Sequence, residues 1–275
     1  MAEIVILGSG SPLADPHRAG SALAVVAGEE WILVDCGRAA TQRAIDAGLD
    51  LTAVSAVALT HHHSDHLSDL PTFATTRWTA GATTPLTVVA PDGPAAHYAR
   101  HCLDAYVDQA FYGQASPASG PRPTIAVQAF PPTDEPAMVY AGTAWRLSSA
   151  RVAHHPIEPA VGYLVEHGGR RVAVSGDTAV CDGIRSLAAG AEAVVHQALL
   201  ADRVSPSLLD WNASAREVGR LAAETAPGVL VLTHLIPAPT SPADERAYLD
   251  EIRAGGFQGT ALIAHDLQRI PLAER

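Results

Sequence analysis

"THHHSDHLSDLP" (Thr60–Pro71) is the stretch on which the reading of this chain turns. It holds four histidines in six residues, with aspartates among and behind them. The run before it, "AVSAVALT" (Ala53–Thr60), has the apolar pattern of a buried strand. Successive side chains on a strand point to opposite faces. His61 and His63 therefore point one way and His62 the other, and Asp65 and His66 follow as the chain turns. The resulting pattern is H-x-H-x-D-H. Three imidazoles and a carboxylate converging at a strand end suit a borderline metal such as zinc. His62 and Ser64 fall outside that set.

One cluster cannot complete a site for two ions, and the chain offers further donors, each after an apolar run. "RVAHHPIEPAVGY" (151–163) carries His154 and His155. "VAVSGDT" (172–178) presents Asp177, and "VLVLTHL" (229–235) presents His234. "AVVHQALL" (193–200) adds His196. A sheet delivers side chains to one rim in this way, at the ends of its strands.

The rest of the chain is consistent with such a sheet. Short runs rich in Val, Ile and Leu predict strands at 3–7, 22–27, 31–35, 55–60, 86–90, 125–130, 144–153, 161–167, 171–175, 193–196, 229–233 and 260–264. Helices are expected at 38–48, 94–109, 182–189, 214–226 and 242–254. Ser214 with Glu217 three residues on is a capping box, and Pro227–Gly228 ends that helix. The alternation argues for an α/β chain with layered sheets, read as one domain over 1–275. The proline-rich stretch 114–136 reads as a loop or lid with a short strand inside.

Composition narrows the function. The 275 residues carry a formal net charge of −11, which disfavours non-specific capture of a polyanion. All 18 basic residues are arginines, so Schiff-base chemistry on a lysine is excluded. Cys36, Cys102 and Cys181 are widely spaced, which argues against a disulfide framework and for a reducing compartment. With no signal-like N-terminus and no long apolar segment, a cytoplasmic protein without membrane contact is expected.

"THHHSDH", "HHPIEPAVGY", "SGDT" and "LTHL", together with "LGSGSP" near the start and "LVDCG" at 33–37, resemble the metallo-β-lactamase superfamily. More narrowly they are similar to its ribonuclease Z-like branch, which also holds arylsulfatases and small phosphodiesterases. The resemblance implies a four-layer αββα sandwich with two divalent ions at one edge, zinc first, with Mn2+ or Fe2+ as alternatives. It implies that His61, His63 and His154 hold one ion, that Asp65, His66 and His234 hold the other, and that Asp177 bridges them. His154 is preferred to His155 because Gly162–Tyr163 follows it at a branch-like interval. Asp35 would support the ligands from behind. Asp65 would also orient the nucleophile, and His196 would protonate the leaving group. The branch has a glutamate after that histidine; here it is Gln197, which weakens the expected acid.

The chemistry implied is hydrolysis of a small ester, foremost a phosphodiester, by a hydroxide shared between the ions. Arylsulfatase, lactonase or thioesterase activity is the nearest alternative. Transfer-RNA 3′-end cleavage is set lower, because only 177 − 154 = 23 residues separate His154 from Asp177 and leave no room for an inserted arm. With the acidic balance, a small-molecule substrate is favoured and nucleic acid disfavoured. A non-hydrolytic di-iron or metal-binding role remains the alternative from another class, and a homodimer is compatible with the sequence. Trp78, Phe111, Tyr112 and Trp211 are candidate pocket walls.

Overall fold

The computed structural model describes residues 2–105, 120 and 122–272. Among the described residues, fourteen strands form two seven-stranded sheets. The first contains β1 (Ala2–Gly8), β2 (Ala22–Ala27), β3 (Glu30–Val34), β4 (Val54–Ala58), β5 (Leu86–Pro91), β6 (Ile125–Phe130) and β14 (Arg269–Pro271), in the order β14-β1-β2-β3-β4-β5-β6. The second contains β7 (Ala137–Ala141), β8 (Trp145–Arg151), β9 (Val161–His167), β10 (Arg170–Val174), β11 (Ala193–Leu199), β12 (Val229–Ile236) and β13 (Thr260–Ile263), in the order β13-β12-β11-β10-β9-β8-β7.

Three apolar layers hold the sheets and helices together. Ile4, Ile6, Leu23, Val25, Val174, Val195 and Val231 fill the space between the sheets. The intervening residues Val5, Leu7, Ala24 and Leu33 face outward under α1 (Ala40–Asp46), α2 (Ser64–Leu67), α3 (Leu70–Thr79) and α4 (Pro94–His101). On the far side, Ala173, Val194 and Leu230 meet α5 (Asp182–Ala188), α6 (Ala215–Thr225) and α7 (Pro242–Ala254). Both faces of each sheet are buried, which is why the strands read as nearly continuous apolar runs. This is the αββα sandwich. The capping box is present: Ser214 Oγ accepts from Glu217 N, and the Glu217 carboxylate accepts from Ser214 N. Among the described residues no helix is long and apolar enough to cross a membrane.

Topology gathers the site. β3 to β6 run parallel, as do β10 to β13. Two antiparallel steps, β8 to β9 and β9 to β10, make β8 parallel to β10 as well. The segments after β3, β4, β8 and β10 and the last turn of β12 therefore meet at one edge. The sheets are stapled there: Tyr163 Oη donates to the Leu59 carbonyl at 2.8 Å, and Val161 N to the Thr60 carbonyl at 3.0 Å. Tyr163 is fully buried, so the "VGY" motif fixes the end of β4 just before the histidines.

Several elements differ from expectation. α3 was not expected: its buried positions Leu70, Phe73, Ala74, Arg77 and Trp78 have helical spacing, but Arg77 and four threonines hide it. β7 exposes Met138 and buries little, and β14 has three residues, so neither carries a strand pattern. The helix expected over 94–109 ends at His101, and its last residues lie outside the described ones. Within the loop expected over 114–136, the short strand expected at 125–130 is present as β6, and 114–119 and 121 lie outside the described residues. β11 continues to Leu199, so His196 sits within a strand rather than at its end.

Candidate metal centre

Each donor is delivered by a distinct local device. α2 begins directly after His63 and turns Asp65 and His66 back over the end of β4. That turn needs two glycines: a Cβ on Gly37 would lie 1.9 Å from the Asp65 carbonyl oxygen, and one on Gly20 2.8 Å from it. Gly176, with φ +61, makes the corner that presents Asp177. In β12 the register passes from Gln197–Thr233 to Leu199–Ile236, so one extra residue bulges at 234–235. His234 takes φ +50 there, a left-handed conformation uncommon for a non-glycine residue, and the bulge re-aims its ring.

All seven expected donors come together. One ligand atom each of His61, His63, His154 and Asp177 lie within 4.8 Å of one another, and the same holds for Asp65, His66 and His234. Asp177 Oδ2 lies between the two groups. It is 4.0 Å from His61 Nε2, 3.9 Å from His154 Nε2, 3.5 Å from His66 Nε2 and 3.4 Å from His234 Nε2. Asp65 Oδ2 is 3.1 Å from His234 Nε2 and 3.6 Å from His66 Nε2. His155 turns outward, 84% exposed, beside Glu158.

Partners behind the rings fix which nitrogen is free. The Thr60 hydroxyl donates to Asp35, so His61 Nδ1–H donates to Thr60 Oγ1 at 3.0 Å. His66 Nδ1–H donates to Asp35 Oδ2 at 2.7 Å, and His154 Nδ1–H to the Trp211 carbonyl at 3.1 Å. Each leaves an Nε2 lone pair facing Asp177. The Nε2 atoms of His61 and His66 and the Oδ1 of Asp177 are buried without a hydrogen-bond partner among the described residues. Buried polar atoms are normally satisfied. Imidazole lone pairs and carboxylates left open toward a common point are the donor chemistry of divalent ions, so the residues present fit the metal pair.

The protonation states agree. Burial holds His61, His63 and His154 below the ordinary histidine range, hence neutral. Burial alone would raise Asp177, but His234, His66 and His61 hold it well below the usual carboxylate range. His66 is the exception. Burial disfavours its charge, yet the Asp177 and Asp35 carboxylates outweigh burial and push it well above an ordinary histidine.

His196, the expected proton donor, lies inside β11. It is fully buried, and burial pushes it down to about 4. Its Nδ1–H donates to the Gln197 backbone carbonyl at 2.6 Å, leaving Nε2 as an acceptor. A neutral acceptor is a poor resting acid. The Gln197 amide donates to the Thr178 carbonyl, and what meets the His196 ring is the Gln197 backbone carbonyl.

Among the candidate walls, Trp211 lies beside the centre, 5.0 Å from His154 ring to ring. Trp78 is buried in α3, and Phe111 and Tyr112 lie outside the described residues. Sequence reading missed one support. Thr60 links Asp35 to His61. Asp266 accepts from Ser9 N, Ser9 Oγ, Ala19 N and Arg43 Nε, and so pins the loop whose Ser9 carbonyl accepts from His234 N. Asp266 is 257 residues from Ser9.

The family model described as a Beta-lactamase superfamily domain matches residues 30–235. The chain belongs to the metallo-β-lactamase superfamily, and it is a metal-dependent hydrolase of that fold. A protein named Ribonuclease Z from Mycobacterium bovis (strain BCG / Pasteur 1173P2) is 36% identical over 290 residues, covering 100% of both chains. Another Ribonuclease Z, from Mycolicibacterium gilvum (strain PYR-GCK), is 34% identical, with 98% of this chain and 96% of the relative covered. Among solved structures, the metallo-beta-lactamase fold protein YhfI from Bacillus subtilis has a TM-score of 0.72 at 21% identity, covering 98% of each chain. The short form of human tRNase Z has a TM-score of 0.71 at 18% identity, covering 99% of this chain and 100% of its own. These two likenesses concern the fold.

The mycobacterial alignment corrects one expectation. Its 290 positions span the relative end to end, against 275 residues here, so that protein is of nearly the same length. A short interval between His154 and Asp177 therefore does not separate this chain from proteins named Ribonuclease Z. The case against nucleic acid loses its main support.

Proposed function

We propose that this protein is a two-metal phosphodiesterase acting on RNA, with cleavage at the 3′ end of transfer-RNA precursors as its reaction. The observation that carries the reading is the end-to-end 36% identity to a protein named Ribonuclease Z. His61, His63 and His154 would hold one zinc ion, Asp65, His66 and His234 the other, with Asp177 shared. Two ions there would lower the pKa of a shared water and polarise the phosphoryl oxygen. The chain's own contribution is orientation. Asp35, Thr60 and Trp211 fix the histidine tautomers. Asp65 keeps its carboxylate beside His234 and His66, where it can accept the proton of an attacking water. A cytoplasmic location belongs to the same reading.

A small phosphodiester is the second reading, favoured by the net charge of −11. The experiment is cleavage of a precursor transfer RNA with a 3′ trailer, set beside bis(p-nitrophenyl) phosphate, using zinc-loaded protein. Cleavage at the trailer junction, abolished in Asp177→Ala, is the expected result. Turnover of the aryl diester with an intact precursor would replace the RNA reading with the small-molecule one.

A further inference from the structure

Of the four imidazoles that turn Nε2 toward Asp177, three have Nδ1 held from behind, by Thr60, Asp35 and Trp211. His234 is the fourth. Its Nδ1 is buried and has no partner among the described residues. The ring faces the metal centre through Nε2, so Nδ1 looks away from it.

His234 also lines a small chamber between the sheets, walled by Asp35, Ser175, Asp177, Gln197 and Thr233 among others. The chamber offers about 20 Å³ to a water molecule. One water needs roughly 10–15 Å³ on this measure and two to four polar partners. Two further residues of its walls carry an unpartnered buried atom: Gln197 Oε1 and Asp177 Oδ1. The Gln197 amide is not free to flip, because its Nε2 donates to the Thr178 carbonyl at 2.8 Å. Gln197 is paired with Thr233, directly before His234, in the β11–β12 register. Leaving a buried polar atom unpaired is costly, and all three belong to residues lining this one chamber.

We propose that the chamber binds one water, which accepts from His234 Nδ1–H and donates to Gln197 Oε1 and Asp177 Oδ1, making Gln197 a positioning residue for His234. The inference rests on His234 being a metal ligand, as read above. The water supplies what Thr60, Asp35 and Trp211 supply to the other rings: it fixes the Nδ1–H tautomer and keeps the Nε2 lone pair free. Gln197 is suited to that place because its amide both anchors on Thr178 and presents an acceptor. A carboxylate at 197 would keep the acceptor, and partners of this kind raise the basicity of the ligand.

The test uses the full chain loaded with zinc. Both dissociation constants are measured by chelator competition, and the histidine ring nitrogens are followed by 15N NMR, in wild type, Gln197→Leu and Gln197→Glu. In Gln197→Leu, one ion should bind about 10- to 100-fold more weakly, and the His234 Nδ1–H signal should shift or broaden. The other ion should be little affected, and Gln197→Glu should hold both ions at least as well as Gln197→Leu holds its tighter one. Wild-type affinities with an unchanged His234 signal in Gln197→Leu would overturn the inference. If that variant does not fold, a metal-loaded wild-type crystal structure that resolves waters decides. Density for one water within hydrogen-bond distance of His234 Nδ1 and Gln197 Oε1 supports the proposal, and none there overturns it. Wild-type protein binding only one ion would instead remove the ligand assignment on which the inference stands.

Discussion

His61, His63 and His154 pack ring against ring, with centroids 4.7 to 5.1 Å apart, and among the described residues the carboxylate grouped with all three is Asp177. Asp65, His66 and His234 contain a carboxylate of their own, and a second, Asp35, stands behind His66. The first trio is kept neutral by burial. In the second, Asp35 and the shared Asp177 draw a proton onto His66. Two half-sites sharing one aspartate thus face different competitors. In the first, a metal ion replaces little. In the second, it must displace a proton that the carboxylates hold.

The sharpest way to break this comparison is within the first trio. His154→Ala should cost its ion and nearly all activity, whereas His155→Ala should leave metal content and rate close to wild type. Metal analysis with rate measurement checks both, and loss of metal from His155→Ala would reverse the assignment of the two neighbours. A smaller effect belongs to the second trio. Asp35→Asn removes the negative acceptor directly behind His66 and should weaken the second trio's ion by about 10- to 100-fold, and the first trio's ion less, because Asp35 reaches His61 only through Thr60. Equal weakening of both ions would mean that the halves are not separable.

A third prediction concerns pH. His66 carries a raised pKa, so its proton is bound at pH values where an ordinary histidine has already lost it. As pH falls from 8 to 6, the ion of the second trio should leave first, losing roughly tenfold in affinity per unit below that pKa. The first trio, with lowered pKa values, should keep its ion until lower pH. Titrated metal release shows the order, and simultaneous loss of both ions would contradict it. The smallest effect expected is at Tyr163. Tyr163→Phe removes the hydrogen bond to Leu59 and should lower unfolding stability by about 1 kcal/mol, measured by denaturant titration, with both affinities unchanged.

Much of the centre was legible because its donors follow apolar runs in the sequence. The alternation of a strand separates His61 and His63 from His62 without any structure, and "SGDT" and "LTHL" follow the same logic. What could not be read was anything set by register or long-range contact. His196 was read as a strand end because β11 loses its apolar signature at Gln197, yet the strand continues to Leu199. The bulge at His234 depends on pairing with β11, and Asp266 reaches across 257 residues to Ser9. α3 escaped because its buried face includes Arg77, whose guanidinium donates to the Thr84 carbonyl and so behaves as a satisfied core residue. The inserted-arm argument failed for another reason: an interval within one chain has no meaning until a relative of known length stands beside it.

The most direct measurement is the zinc content of wild type and Asp177→Ala, each purified, reloaded and assayed by mass spectrometry beside precursor transfer-RNA cleavage. Asp177 Oδ2 stands within 4.0 Å of imidazole nitrogens from both trios. Two ions per chain in wild type, weakened retention of both in Asp177→Ala and cleavage lost with them is the expected result. Two ions held by Asp177→Ala as tightly as by wild type, with cleavage intact, would contradict the shared centre.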